Sequence, residues 1–231
     1  IDKAINKGKI SLEAKVNFDE EGKIEDDFKV SGKITDLYLN LLNKSEIKDL
    51  NFNFNFFNKN IDLKNLSLNY LNLKILSENI SLKKKNKIYF IEGDIKNSSQ
   101  VIPNKIISLV LKNNYFDKII LSTKNDFSFK INKKFKISDL NVKSKVNIDE
   151  ATLRLEKKSI KKYFSDFVNE FKFINHDLDI EYEKKILVKG KGKIGIGNKE
   201  DKIEYNLNYI GDKLEYDVVL FLYETSIKLD L

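Results

Sequence analysis

Apolar and polar residues alternate along much of the 231-residue chain. Near the start, Ile10, Leu12 and Ala14 are separated by the polar residues Ser11 and Glu13. Because successive side chains of an extended strand point to opposite faces, this pattern predicts a strand with one apolar face and one polar face. The same alternation returns in segments 50–56, 66–70, 127–131, 178–182, 203–209, 214–222 and 225–231. Along the whole chain it predicts roughly fifteen strands.

Short polar segments with turn-forming residues separate these strands. They are segments 19–23, 58–60, 84–87 and 210–213. A connection between parallel strands needs about a dozen residues or more, so connections this short predict antiparallel hairpins and exclude a doubly wound α/β fold.

Two segments depart from the alternation and carry apolar residues at helical spacing. Segment 103–113 has Pro103 at the first helical position, where a missing N–H costs nothing. Segment 159–171 has Ser159 as its N-cap and a stripe of phenylalanines. Both segments are predicted to be short helices that cover part of the sheet.

The pattern Ile-x-Asp-Leu occurs three times, around Asp36, Asp49 and Asp139. In each copy the two apolar residues are three positions apart, which breaks the period of two. A β-bulge accommodates one extra residue in a strand, so each copy predicts a bulge or bend with the Asp side chain turned outward.

An open antiparallel sheet of this many strands cannot stay flat, because twist accumulates and the apolar face needs cover. The outcomes are a closed barrel, a two-sheet sandwich, or a long folded sheet with an interior groove. We predict a mainly β fold, a long curved antiparallel sheet with two short helices and an open hydrophobic groove. The residues expected to line this groove are Leu12, Val16, Phe52, Phe54, Phe56, Leu66, Leu68, Phe127, Phe129, Ile180, Leu207, Val218 and Leu220.

The composition removes several kinds of chemistry. The chain has no Cys, which excludes disulfides and thiolate sites, and 1 His, which excludes multi-histidine metal sites. The net charge is +7, but only Arg154 among the 42 basic residues is an arginine, and 35 acidic residues are interspersed among the lysines. Nucleic-acid recognition favours the forked guanidinium, so we expect no nucleic-acid partner.

The remaining candidate sites are better explained by structural or solvent-exposed roles than by catalysis or ligand binding. Segment 190–197 contains a formal GxGxxG, but an alternating strand surrounds it rather than a strand followed by a helix. Its glycines are therefore interpreted as bulges or as places of close backbone approach. His176 is interpreted as a solvated loop residue, and the acidic clusters at 19–21, 26–27 and 149–150 as solvated turns. We expect no catalytic residue, metal or cofactor, and hence no enzyme.

The one-faced strands, the Ile-x-Asp-Leu bends and the stretches 125–131 and 134–145 resemble the periplasmic repeats of the AsmA-like superfamily of bridge-like lipid transfer proteins. The resemblance spans most of the chain. It implies a long taco-shaped sheet with a hydrophobic interior, which moves phospholipids between the inner and outer membranes. It also implies a periplasmic location, anchoring in the inner membrane through an N-terminal helix, and partners among outer-membrane or envelope proteins.

No such anchor stands in this sequence, and Ile1 takes the place of a starting Met. We therefore expect an internal fragment of a longer protein, with residues 1–231 forming one elongated β module and a sub-module break near 113–117. The alternative is a structural or adhesive β module whose apolar faces pack into a closed core without a ligand. An open groove would leave a contiguous apolar surface accessible, whereas a closed core would not.

Overall fold

The structure is a computed structural model that describes residues 5–24, 28–41, 45–111, 115–155, 164, 169–211 and 213–226. These residues contain one helix and twelve strands. The strands are β1 (Ile5–Lys15), β2 (Lys29–Leu41), β3 (Ser45–Phe57), β4 (Asn60–Tyr70), β5 (Leu73–Lys85), β6 (Ile88–Val101), β7 (Phe116–Asn132), β8 (Ile137–Arg154), β9 (Glu170–Tyr182), β10 (Ile186–Ile196), β11 (Lys199–Ile210) and β12 (Lys213–Phe221).

The strands form a single antiparallel sheet in which spatial order follows chain order from β1 to β12. The prediction of a mainly β, antiparallel fold is confirmed. Two-residue turns join β3 to β4 and β4 to β5. Asn58 and Lys59 both have positive φ, as do Leu71 and Asn72, which matches the type I′ turns that suit the twist of paired strands.

The described strands are fewer and longer than the alternation predicts, with β8 reaching 18 residues. A bulge and a hairpin turn both interrupt the alternation, so they look alike in the sequence. In β2 and β3 the interruption is a bulge, and each strand continues through it.

The chain divides into two compact units. Unit 1 comprises Ile1–Asn97 and Asn125–Asn141, and unit 2 comprises Ser98–Lys124 and Val142–Leu231. The divisions fall inside β6, β7 and β8, so these strands contribute residues to both units.

Unit 2 holds most of the buried apolar residues. Among them is the cluster of Ile194, Ile196 and Ile203, against which Phe171 and Tyr205 pack. After β12 the chain is held by the buried Asp201 carboxylate, which accepts hydrogen bonds from the backbone N–H groups of three successive residues, Tyr223 to Thr225. Unit 2 therefore has a closed core around β10 and β11.

The helix α1 (Asn104–Leu111) belongs to unit 2 and confirms the first helical prediction. The Pro103 carbonyl accepts hydrogen bonds from the N–H groups of Ile106 and Ile107. The Ile107 side chain of α1 is buried.

Most of the second predicted helix, 159–171, lies outside the described residues. Of its ends, Phe171 lies in β9 rather than in a helix. The acidic segment 26–27 and part of the segment 113–117 also lie outside the described residues.

Candidate functional site

Unit 1 carries a continuous apolar face that crosses its first six strands. Cross-strand partners in an antiparallel sheet share a face, so the register identifies its members. One row across the sheet is apolar in all six strands, and it runs through Ala14, Val30, Phe56, Ile61, Leu82 and Ile91. We call this surface the apolar face, and its further members include Ile10, Leu12, Ile34, Leu37, Leu50, Phe52, Phe54, Leu63, Leu66, Leu68 and Ile80.

Bulges keep the apolar face continuous where the alternation changes phase. Between Ile34 and Leu37 the strand β2 has one more residue than β3 opposite it, and Asp36 has a φ of 52°. Asp49 in β3 has a φ of 51° and restores the register two residues further on. Both side chains are exposed, which confirms the bulges predicted from Ile-x-Asp-Leu. Asp139, in the third copy, also has a positive φ and an exposed side chain.

A further bulge, which the pattern Ile-x-Asp-Leu does not predict, lies at Asn65 in β4, where φ is 52°. It follows Leu63-Lys64 and precedes Leu66, so the apolar residues are again three apart. The signal is therefore broader than Ile-x-Asp-Leu. A better description of the signal is a four-residue pattern of an apolar residue, any residue, Asp or Asn, and a second apolar residue. Asp and Asn stand at its third position because they tolerate the left-handed conformation that this type of bulge requires.

Local hydrogen bonds hold these bulges in place. The Asn51 side chain donates to the Asp49 carbonyl at 2.6 Å and accepts from the Asp36 N–H at 3.0 Å. In β5 the equivalent distortion is held by Asp94, whose carboxylate accepts from the N–H groups of Glu78 and Asn79. The N–H groups of Asp36, Glu78 and Asn79 and the Asp49 carbonyl are thus hydrogen-bonded at the bulges.

The apolar face is only partly shielded from water. Among its members, Leu50 is buried, with 8% of its surface exposed. Phe52, Phe54 and Phe56, on a central strand of the unit, are only half-buried. A closed core would bury residues at such positions almost completely, so the described part of unit 1 leaves contiguous apolar surface in contact with solvent.

The opposite face of the same strands is polar. Lys83 on β5 and Glu92 on β6 form an ion pair at 2.7 Å, and Lys33, Asn53 and Asn55 follow the same face across β2 and β3. The unit is amphipathic, with water-compatible groups on one face and aliphatic and aromatic groups on the other.

The structure places the predicted lining residues in both units. On the apolar face of unit 1 lie Leu12, Phe52, Phe54, Phe56, Leu66 and Leu68. Val16 follows the end of β1 and is exposed. Phe127 and Phe129 lie in β7 with their ring centroids 6.0 Å apart. The Lys130 Nζ lies over the Phe90 ring on the polar face, so alternation places Phe127 and Phe129 on the apolar face.

The other four predicted residues share one face of unit 2. Ile180 and Leu207 both pair with Val188, while Val218 pairs with Tyr205 and Leu220 with Ile203. Val218 and Leu220 on β12 are exposed. A shallow depression of about 270 Å³ is lined by residues of three neighbouring strands, Leu187 to Lys189 on β10, Asn206 to Asn208 on β11 and Glu215 to Asp217 on β12.

His176 is buried in β9, with 1% of its surface exposed, so its interpretation as a solvated loop residue is wrong. Its Nε2 lies 2.8 Å from the Lys193 carbonyl and its Nδ1 lies 3.2 Å from the Tyr205 hydroxyl. A carbonyl can only accept, so Nε2 carries the proton and Nδ1 accepts from Tyr205. Burial lowers the pKa of His176 and raises the pKa of Tyr205 to about 12, which keeps the pair neutral.

The glycines of segment 190–197 make room for this pair. A Cβ added at Gly192 would lie 2.5 Å from the Cγ atom of the His176 ring, and one added at Gly190 would lie 2.7 Å from the Tyr205 hydroxyl. The aromatic rings therefore cover the bare backbone of β10, which agrees with close approach, one of the two interpretations of these glycines. Gly192 and Gly195 lie inside one strand, so the helix of a dinucleotide fingerprint is absent at this place.

Within the described residues, no group of three or more His, Asp or Glu side chains is placed to hold a metal ion. No helix among them combines the length and apolar character needed to cross a membrane. Comparisons with protein-family models, curated proteins and solved structures gave no match to this chain.

Proposed function

We propose that this chain is a lipid-binding segment of an AsmA-like lipid-transfer protein, in which the apolar face of unit 1 shields phospholipid acyl chains from water. The observation that carries the proposal is the continuous apolar face on which Leu50 alone, among the members named above, is fully buried. Covering an acyl chain on such a surface stabilises it by about 0.8 kcal/mol per CH₂ group.

The proposed ligand follows from the chemistry of the face. Aliphatic and aromatic side chains continue from strand to strand without convergent polar groups, and the bulges keep this continuity where the alternation changes phase. Non-directional contacts of this kind accept acyl chains of many lipids and give no selection of a headgroup. The chain would act by binding and passage of lipid rather than by catalysis, without a cofactor.

The wider setting belongs to the same proposal. The protein would work in the periplasm, attached to the inner membrane, and would pass phospholipid toward the outer membrane and its proteins. The polar face, with pairs such as Lys83 and Glu92, supports this because it keeps the lipid-bearing sheet in water.

A structural β module without a ligand is the second candidate, and unit 2 favours it. The cluster of Ile194, Ile196 and Ile203 is closed, with exposures of 7%, 1% and 7%. If the apolar face of unit 1 were covered in the same way by another part of the protein, no lipid would bind there.

The experiment that separates the two candidates is to purify the chain, extract it with organic solvent and identify co-purifying lipid by mass spectrometry. A control protein of similar size is treated in parallel. We expect phospholipid in at least stoichiometric amount, together with uptake of a fluorescent acyl-chain probe. Absence of both signals would reject lipid binding and favour the structural module.

A further inference from the structure

Three hairpins at one end of unit 1 combine lysines with exposed hydrophobic side chains. They are segments 57–60, 84–88 and 132–137, which join β3 to β4, β5 to β6 and β7 to β8. In an antiparallel meander alternate turns lie at the same end of the sheet, so these three turns are neighbours. We call them the basic hairpins.

The basic hairpins contain seven lysines and no acidic residue. All seven side chains are exposed, and none forms an ion pair with a carboxylate of the described residues. The neighbouring connection between β1 and β2 differs, since it carries Asp19, Glu20 and Glu21. The positive charge is therefore concentrated on the hairpins from β3 to β8.

Each basic hairpin also exposes an apolar side chain beside its lysines. Phe57 is 48% exposed, Ile88 40%, Ile137 54% and Phe135 83%. Exposed lysines alone are common on soluble proteins, but lysines around exposed aromatic and aliphatic side chains are typical of surfaces that enter the interface of a lipid bilayer.

The turn that contains Phe135 does not require a phenylalanine at this position. In this turn the Asn132 side-chain oxygen accepts from the N–H groups of Lys134 and Lys136, and the Asn132 carbonyl accepts from the Phe135 N–H. The φ of Phe135 is 58°, a conformation that costs a bulky residue about 1–2 kcal/mol.

The chain builds the same turn a second time, with glycine at the equivalent position. The Asp19 side chain accepts from the N–H groups of Glu21 and Lys23, and the Asp19 carbonyl accepts from the Gly22 N–H. Gly22 has a φ of 78°. The backbone of this turn favours glycine, yet Phe135 takes its place and is exposed, so a role outside folding accounts for it better.

We propose that the basic hairpins bind the surface of anionic lipid membranes, with the lysines facing the headgroups and Phe135 entering the interface. The lysines supply attraction to negative lipids, and the apolar tips hold the hairpins against the bilayer. A nucleic acid would attract the lysines but would not require the exposed Phe57, Ile88 and Ile137. This surface is separate from the apolar face, so the proposal stands without lipid binding there.

The test is co-sedimentation of the full chain with vesicles of phosphatidylcholine mixed with phosphatidylglycerol, and with vesicles of phosphatidylcholine alone. We expect binding to the anionic vesicles only, weakening as salt is added. A first variant removes four lysines of the basic hairpins through Lys85→Gln, Lys87→Gln, Lys134→Gln and Lys136→Gln. It should bind the anionic vesicles at least about 100-fold more weakly than the unchanged chain.

Its matched control carries Lys33→Gln, Lys64→Gln, Lys145→Gln and Lys189→Gln, all at exposed positions. Both variants lose four charges, which changes the net charge from +7 to +3. The control should bind like the unchanged chain. Equal loss in both variants, or equal binding of the unchanged chain to neutral vesicles, would overturn the proposal.

A second variant, Phe135→Gly, keeps the turn that Gly22 already forms elsewhere. It should fold normally by circular dichroism and bind anionic vesicles about tenfold more weakly. Tyr216→Thr, which removes an aromatic side chain that is 72% exposed on β12, should leave binding unchanged. If Phe135→Gly binds vesicles as well as the unchanged chain while duplex DNA competes for the lysines, the surface binds polyanions in general and the proposal is wrong.

Discussion

His176 is the single histidine of the chain, and its buried ring on β9 lies against Gly192 of β10. Its two hydrogen-bond partners among the described residues, the Lys193 carbonyl and the Tyr205 hydroxyl, are uncharged. Residues of four strands surround its ring. They are Ile148 on β8, Phe173 on β9, Gly192 and the Lys193 carbonyl on β10, and the Tyr205 hydroxyl on β11. Among titratable groups, Tyr205 faces the ring, and the Asp177 carboxylate acts on it from the next position. A proton added to Nδ1 would turn both ring nitrogens into donors and leave a buried cation without a carboxylate in contact.

We therefore expect unit 2 to lose stability when the pH falls below about 6.5, the ordinary pKa of histidine. Burial lowers the pKa of His176 in the folded chain, so the unfolded chain takes up the proton first. The folded state is most stable above the unfolded pKa, and the loss grows as the pH falls toward the folded pKa. Urea unfolding midpoints measured across this range check the expectation.

The variant His176→Phe serves as the control for this titration. It should be less stable at neutral pH because the Lys193 carbonyl loses its side-chain donor. Its midpoint should nevertheless vary little between neutral pH and the range where carboxylates titrate. If the unchanged chain shows no greater pH dependence than this variant, His176 does not control the acid sensitivity.

At the scale of the strand, the bulges keep the apolar face continuous, and the left-handed backbone conformation constrains which residue each bulge accepts. Asn65 has a φ of 52°, which Asn and Gly adopt readily and β-branched residues do not. We expect Asn65→Gly to leave the stability of the chain nearly unchanged. Asn65→Val should lower the free energy of unfolding by about 1–3 kcal/mol, measured by urea denaturation.

A matched control for the bulge is Asn55→Val on the neighbouring strand β3, where the backbone is extended and the side chain lies on the polar face. Valine suits such a position, so this variant should be neutral or slightly stabilising. If Asn65→Val lowers the free energy of unfolding no more than Asn55→Val does, the bulge conformation does not restrict which residue can stand at position 65.

At the scale of the molecule, the accessible apolar face sets a test of binding that is separable from folding. Phe54→Glu and Leu68→Glu place a charge on the apolar face, where it would have to be desolvated against an acyl chain. Both variants should stay folded, because these side chains are only half-buried. They should bind a fluorescent acyl-chain probe at least about tenfold more weakly than the unchanged chain.

Asn53→Glu and Ser67→Glu make the same change one residue away on the polar face and should bind the probe normally. Unfolding of Phe54→Glu and Leu68→Glu, with no folded species left to bind the probe, would instead indicate that the apolar face is covered in the native protein.

The sequence determined the local features of this protein because each depends on neighbours in the chain. Alternation fixed which side chains share a face of a strand, and turn residues fixed hairpins such as Asn58-Lys59. A three-residue spacing across Asp or Asn marked the bulges at Asp36 and Asp49. These follow from the period of two and from backbone sterics, which act within a few residues.

Only the tertiary structure decided what depends on distant pairs. His176 is 17 residues from Lys193 and 29 from Tyr205, so its burial arises from the pairing of β9, β10 and β11 and not from its own neighbours Asn175 and Asp177. The open apolar face of unit 1 and the closed cluster of unit 2 come from the same alternating pattern. Whether such a face is covered depends on which segments pack against it, and that contact is set in three dimensions.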